Sequence, residues 1–408
     1  MKSFKPFLLA AFIAMFLTPC SVNLLFAQDQ EKEKPEGYIF THTKEIKSTP
    51  VKNQNRSGTC WAFSGTGFLE CELIRKGKGE FDLSEMWVVN RAYVDKADMY
   101  VRMHGNWTFS CGGAYHDVIE MIDKYGIVPG PVFKGANYGE ELPVHGEIDA
   151  LLKAYVDVII KNPNKQLSTA WKKGYEAILE AYMGKIPEQF TYNGKEYTPK
   201  SFAAFLGLNK SDYVSITSFM HHPFYTQFAI EIPDNWMMKT SYNVQLDEMM
   251  QIINNAIDKG YSIAWGADVS DKGFSWKKGV AVLPEKDMES MNDSDRARWE
   301  SMSQGDKNDE LYKFDKPGKE KIITQEMRQE AFDNYTTTDD HGMVLVGKAT
   351  DQNGTPYFLV KNSWGVDNRN PYNGFLYASE PYVAQQTINI VVHKDAIPAD
   401  IKKKLGIN

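Results

Sequence analysis

Apolar positions follow three regimes along the chain. From residue 60 to about 125 they recur at helical spacing. The run Trp61-Ala62-Phe63-Ser64-Gly65-Thr66-Gly67-Phe68-Leu69-Glu70 predicts the first turns of a buried helix that starts at Cys60. A second helix follows Ser84, a residue able to cap it, and carries Met86, Val88, Val89 and Tyr93. A third runs from Ala114 to Tyr125, after the loop Ser110-Cys111-Gly112-Gly113. Ile148, Leu151, Leu152, Tyr155, Val156 and Ile159 mark another helix, and Leu167, Trp171, Tyr175, Ile178 and Tyr182 its successor, broken by Asn162-Pro163-Asn164. Thr198 as N-cap and Pro199 at the first position begin one more. From Tyr261 the pattern turns strand-like, through 261–267, 341–347, 357–362, 374–379 and 387–392. Asn353-Gly354 predicts a two-residue hairpin that pairs the second of these strands with the third. Residues 285–330 are charged and poor in apolar side chains, as a surface excursion or two exposed helices would be. Residues 28 to about 45 are polar and expected to fray.

The first 27 residues read as a signal peptide. Lys2 and Lys5 precede an apolar run from Phe7 to Leu17, short for a membrane span, and Leu25-Phe26-Ala27 before Gln28 suits a signal peptidase. Export to the periplasm or medium is the expectation. Lipid anchoring through Cys20 is the lesser alternative, because Thr18-Pro19 makes a poor lipobox. No transmembrane span is expected in residues 28–408. Losing Lys2 and Lys5 takes the formal charge from −7 to −9. An acidic chain argues against a nucleic-acid-binding channel.

The candidate chemistry centres on Cys60. A cysteine at a helix N-terminus feels the positive end of the helix dipole, which favours the nucleophilic thiolate. Gln54, six residues earlier, can offer an N–H to an oxyanion near that sulfur. His341 stands at the mouth of one strand and Asn362 at the end of its partner. His341 can take the thiol proton, Asn362 can hold the imidazole, and Trp364 can cover that contact, which is the Cys-His-Asn form of triad logic. Each residue has a plain alternative: a buried structural cysteine, a surface histidine, a turn asparagine. All four in this order, with fitting neighbours, favour covalent catalysis. His221-His222-Pro223 hints at a metal, but no further ligand is spaced near it, so no metal or cofactor is expected. There is no internal repeat, P-loop or dinucleotide motif.

These segments resemble the papain-like cysteine peptidases, and within them the bleomycin hydrolase and bacterial aminopeptidase C branch. The resemblance rests on Gln54 through Cys60-Trp61-Ala62-Phe63, and on Asn362-Ser363-Trp364-Gly365. It runs on through Leu83-Ser84-Glu85, Gly112-Gly113, Lys124 to Pro129, Tyr197 to Phe202 and Trp265 to Val269. It implies an α+β fold of two lobes, with Cys60 heading the central helix of one and His341 and Asn362 on an antiparallel sheet in the other. It also implies peptide substrates, cleft-lining roles for Gly112 and Gly113, no cofactor, and a homo-hexamer with inward-facing sites. The Cys–His separation is 281 residues here, against about 130 to 150 in papain-like enzymes. A mainly helical insertion over about 135–250 accounts for the excess. Ser57 stands where secreted relatives have a cysteine, so the pattern follows the disulfide-free branch. Cys71 is then core and Cys111 a reduced residue near the cleft, with a Cys71–Cys111 bridge the alternative.

The resemblance implies an aminopeptidase whose C-terminal arm receives the substrate amine. Pro398 to Leu405 should form a short helix ended by Gly406, leaving Ile407 and Asn408 with about 7 Å of reach. A more open cleft with endopeptidase character is therefore an expectation, unless the insertion supplies another acidic cap. A catalytically inert papain-like binding protein and an acyl transferase are the remaining rivals.

Overall fold

The sequence from Trp61 to Leu73 is buried on every side of one helix, α1 (Cys60–Arg75). Small residues allow this. A Cβ at Gly65 would lie 2.5 Å from Val118, so the helix spanning Tyr115–Tyr125 packs directly on the α1 backbone. The Ser64 and Thr66 hydroxyls donate back to the carbonyls of Cys60 and Ala62 (2.6 and 2.8 Å), which keeps them satisfied without water. α2 (Glu85–Arg102) starts where the sequence placed it, with the Ser84 hydroxyl accepting from the Trp87 N–H at 3.0 Å. α3 (Tyr115–Tyr125) completes the three helices around the Cys60 end of α1. The structure, a computed structural model, describes residues 37–407. The leader read at 1–27 and Asn408 lie outside the described residues.

An eleven-stranded sheet forms the second lobe, giving the expected α+β architecture. At its centre His341–Thr350 lies between Ile263–Ala267 and Pro356–Lys361, antiparallel to both. His341 pairs with Ala267, at the end of the strand that faces α1. The hairpin joining 341–350 to 356–361 is longer than two residues. Pairing ends at Thr350 and Pro356, and the Asp351 carboxylate caps the loop by accepting from the N–H groups of Asn353 and Thr355 (2.8 and 3.0 Å).

One other expectation needs correction. Residues 41–45 do not fray: Thr41–Glu45 pairs antiparallel with 347–350. The strand has no apolar face to announce it. It is held by the backbone ladder and by Phe40, whose ring stacks on Tyr377 at 3.7 Å between centroids. The long insertion is helical through α4 (Gly146–Ile160), α5 (Trp171–Met183) and α6 (Pro199–Leu206). Beyond these, Tyr213–Thr217, Gln227–Ala229 and Thr240–Asn243 are strands that widen the main sheet beside Thr387–His393. Its aromatic residues thus serve the sheet as well as the helices. Asp293–Ser301 and Gln304–Leu311 are exposed helices without a buried residue, as the charge pattern predicted.

Thr387, like His341, pairs with Ala267, so the Thr387–His393 strand starts at the cleft end of the sheet. It carries the chain away by about 20 Å over its length. The helix Ala399–Leu405 follows at the far end, closed by Gly406 at φ +66°. Among the described residues no helix is long and apolar enough to cross a membrane.

Glu70, fully buried on α1, ties the lobes together. It accepts from Lys52 Nζ (2.8 Å), the Thr49 hydroxyl (2.5 Å) and the Leu83 N–H (2.9 Å). Burial works against the Lys52 charge, but Glu85, Glu70 and Asp82 outweigh it and hold its pKa above that of an ordinary lysine. Lys361, next to Asn362, donates to the same Thr49 hydroxyl at 2.9 Å. Removing one partner leaves the others buried and unpaired, so Glu70→Ala should lose about 3 to 5 kcal/mol in urea unfolding. An unchanged midpoint would show that the node is dispensable.

Candidate active site

Cys60 is the first residue of α1, with Thr59 as its N-cap. The sequence folds that way because Ser57, Gly58 and Thr59 make the tight approach. The Ser57 hydroxyl lies 2.7 Å from Gln54 O and 2.6 Å from the Thr59 hydroxyl. A Cβ at Gly58 would lie 2.3 Å from the Cys111 sulfur, so only glycine lets these two segments touch. Cys60, Cys71 and Cys111 are all free, as the pattern of the disulfide-free branch implied, and Cys71 is core.

His341 and Asn362 meet across the sheet. The His341 Nε2 lies 2.7 Å from Asn362 Oδ1, so that nitrogen carries the proton and Nδ1 is left as the base. The same oxygen accepts from the Ser363 N–H at 2.7 Å, which fixes the amide's orientation. Trp364 covers the contact, its ring 4.7 Å from the imidazole, and Trp276 packs against Trp364 at 5.1 Å. Gln54 joins the group from the preceding strap. Its N–H donates to Ser363 O (2.8 Å) and its Oε1 accepts from the Ser363 hydroxyl (2.6 Å). Nε2 donates one proton to Ser57 O at 2.9 Å, which leaves its second for an oxyanion.

The two lobes bring Cys60 to this group. Gly342 beside His341 packs on α1: a Cβ there would lie 2.6 Å from the Ser64 hydroxyl. The Gly342 N–H favours the Cys60 anion. Tyr115 of α3 locks the contact, donating to Trp265 O (2.6 Å) and accepting from the Met343 N–H (2.9 Å). Among the described residues no hydrogen bond joins the sulfur to the imidazole; such contacts commonly tighten only with substrate bound. Burial pushes the lone Cys60 thiol up to about 12, with Asp339 and Asp234 adding to the shift. Burial also pulls the lone His341 imidazole down to about 4, against the Asn362 contact. Neither charge is stable alone. Moving the thiol proton to the ring makes both charges at once, side by side, at the positive end of α1.

Gly112 and Gly113 follow Cys111, whose carbonyl accepts from the Trp61 indole at 3.0 Å. A Cβ at Gly113 would lie 2.7 Å from the Asp117 carboxylate, and one at Gly112 within 2.4 Å of the Asp234 carboxylate. Sequence reading missed Tyr115, Asp234 and Asp339, which nothing in their local pattern marks out. The histidine pair has a partner that was not foreseen. Both His221 and His222 face Glu231, at 3.1 and 2.7 Å, through a turn of the chain that spacing alone does not reveal.

The chain matches the Peptidase C1-like family over residues 20–298 and 292–407. It is 22% identical to aminopeptidase C of Lactobacillus delbrueckii subsp. lactis, over 93% of this chain and 87% of that protein. It is 23% identical to bleomycin hydrolase of Mus musculus, over 89% and 84%. The crystal structure of PepW from Lactobacillus rhamnosis HN001 superposes with a TM-score of 0.67 at 20% identity, over 90% of this chain and 84% of that one. With its Cys60 helix and its antiparallel sheet meeting at one cleft, the chain belongs to the Peptidase C1-like family and is a cysteine peptidase of papain-like fold.

Proposed function

We propose that the protein is an aminopeptidase that works through Cys60, His341, Asn362 and Gln54. The observation that carries this reading is the 2.7 Å contact between His341 and Asn362, sealed by Trp364 and facing the N-terminus of the Cys60 helix. Cys60 attacks the scissile carbonyl as its proton passes to His341 Nδ1. The Cys60 N–H and the free Gln54 Nε2 proton hold the oxyanion. His341 then protonates the leaving amine, and water attacks the thioester to release the acid and the free thiol. The aminopeptidase assignment draws on the names of the relatives. A second reading, endopeptidase action through an open cleft, is favoured by the helix Ala399–Leu405, which stands at the far end of the sheet from His341. One unmodified peptide and its N-acetylated twin separate the two: stepwise loss of N-terminal residues from the first, with the second intact, is expected. Internal cleavage of the acetylated peptide would favour the endopeptidase.

Cys60→Ala should abolish turnover and labelling by a thiol-directed epoxide, and full activity in that variant would end the assignment. In the unmodified chain burial pushes the Cys60 thiol up to about 12, and His341→Ala takes away the group that would accept its proton. At pH 7 the thiol is then almost wholly protonated, so iodoacetamide labelling of Cys60 should fall by about 100-fold and recover only as pH rises. Equal labelling in both proteins at pH 7 would show that His341 does not serve as the base.

We also propose export, on the leader read at 1–27, and assembly of the folded chain into the hexamer that the resemblance implies. Leu151 and Val158 of α4 support assembly: they lie two turns apart on one face and remain exposed, Val158 by 69%. Sedimentation should give a hexamer at micromolar concentration and a smaller species for Val158→Glu. A stable monomer of the unmodified chain would refute the assembly.

A further inference from the structure

The walls of the cleft hold two carboxylates that the mechanism does not use. Asp234 comes from the insertion, in the turn between Gln227–Ala229 and Thr240–Asn243. Its neighbours pin that turn. Trp236 donates to the Asp117 carboxylate at 2.6 Å, the Trp107 indole donates to Trp236 O at 2.8 Å, and Asn235 bonds to Ile230 O and Lys239 O. The Asp234 carboxylate is thereby pressed onto the Gly112 backbone, with the Ser110 hydroxyl 3.5 Å away. Asp339 comes from the other lobe, two residues before His341. Its neighbour Asp340 accepts from Thr338 and Ser270, but among the described residues nothing donates to Asp339.

We infer that Asp234 and Asp339 receive the α-ammonium of the substrate's first residue, and that Asp234 also closes the cleft to any residue before it. The inference rests on the aminopeptidase reading and names the group that enforces it.

Three independent observations lead there. Cys60 fixes where the scissile carbonyl must lie. The amine nitrogen of the same residue is two bonds away, roughly 2.5 Å, and an ammonium–carboxylate contact adds about 2.8 Å. The receiving carboxylate must therefore lie beside the Cys60 end of the cleft: Asp339 stands two residues before His341, Asp234 lies over Gly112, and both oppose the Cys60 anion. The second observation is steric. The Asp234 carboxylate fills the space over Gly112, so a peptide running past the scissile residue along Gly112-Gly113, as the resemblance implies, would meet it. The third is charge balance. Lys96, buried on α2, is the cation beneath this loop; it donates to Ser110 O at 3.0 Å and to Gly112 O. Asp117, Asp234 and Asp339 outnumber it. Burial, then Asp234 and Asp340, push the Asp339 carboxyl up to about 8, and burial pushes Asp234 up against the pull of Lys96 and Ser110. Of these two, Lys96 pulls on Asp234 alone, and Asp339, pushed up to about 8, keeps its proton at pH 7 until a cation arrives to favour its anion. An ammonium supplies that cation, and an internal peptide N–H does not.

The test uses the full chain with alanine 4-nitroanilide and its N-acetyl twin. The unmodified enzyme should prefer the free amine by about 100-fold or more in kcat/KM. Asp234→Asn and Asp339→Asn should each raise KM for the free amine by about tenfold and shrink that preference. Cys60 alkylation should be no slower in either, since the acids oppose the thiolate; a variant damaged in its fold would lose alkylation too. Gly112→Ala, which displaces Asp234 without touching its charge, should shrink the preference in the same way and covers the case in which an Asp variant does not fold. Preference kept in all three variants would overturn the inference while leaving the aminopeptidase reading intact. No preference in the unmodified enzyme would overturn the reading itself. Internal cleavage of N-acetylated peptides after lysine or arginine would assign the acids to a side chain instead, and so overturn the inference.

Discussion

A carboxylate buried in the middle of α1 is the constraint on which the cleft depends. Glu70 takes three donors from two separate segments, the strap at Thr49 and Lys52 and the Leu83 N–H ahead of α2, and Thr49 in turn accepts from Lys361 at the end of the sheet strand. A buried charge is tolerable only when every lone pair is occupied, and that requirement sets the positions of all its partners together. Cys60 lies ten residues up the same helix, about 15 Å away. Asn362 follows Lys361, and Gln54 follows Lys52 by two residues. The Lys52 carbonyl also accepts from the Gly365 N–H at 3.0 Å, just beyond Trp364. The parts of the site thus come from segments far apart in sequence, and one polar node keeps them in register.

What the sequence disclosed, and what it withheld, follows from how local each feature is. α1, α2 and α6 were legible because helix starts are written in adjacent residues: Ser84 and Thr198 both cap as their sequence context predicts. The four candidate site residues could be picked out because each sits within a motif of fixed chemistry, and of these the sheet joins His341 to Asn362 by a hydrogen bond. Thr41–Glu45 was not, since its order comes from a partner some 300 residues away and not from an apolar face of its own. The strands Tyr213–Thr217 and Thr240–Asn243 are short and paired parallel to each other, a contact with no local turn to betray it. Asp234 is hidden for the same reason: nothing in Pro233-Asp234-Asn235 says that Trp236 will anchor the turn over Gly112.

The electrostatics of the cleft set two demands against each other. A thiolate nucleophile wants positive potential, and α1 supplies it with its N-terminus and the nearby Gly342 N–H. Selecting a substrate by its amine wants negative potential in the same small volume, and Asp234 supplies that, with Asp339 beside it able to ionise when a cation arrives, at the cost of raising the thiol. Charges this close cannot be arranged independently. An ammonium seated beside Asp234 offsets the field that this carboxylate puts on the sulfur, so the substrate that satisfies the acid also makes the thiolate easier to form. A blocked N-terminus does neither. On this arrangement discrimination acts on the chemical step as well as on binding, and acids that look misplaced beside a cysteine nucleophile become part of how it chooses what to attack.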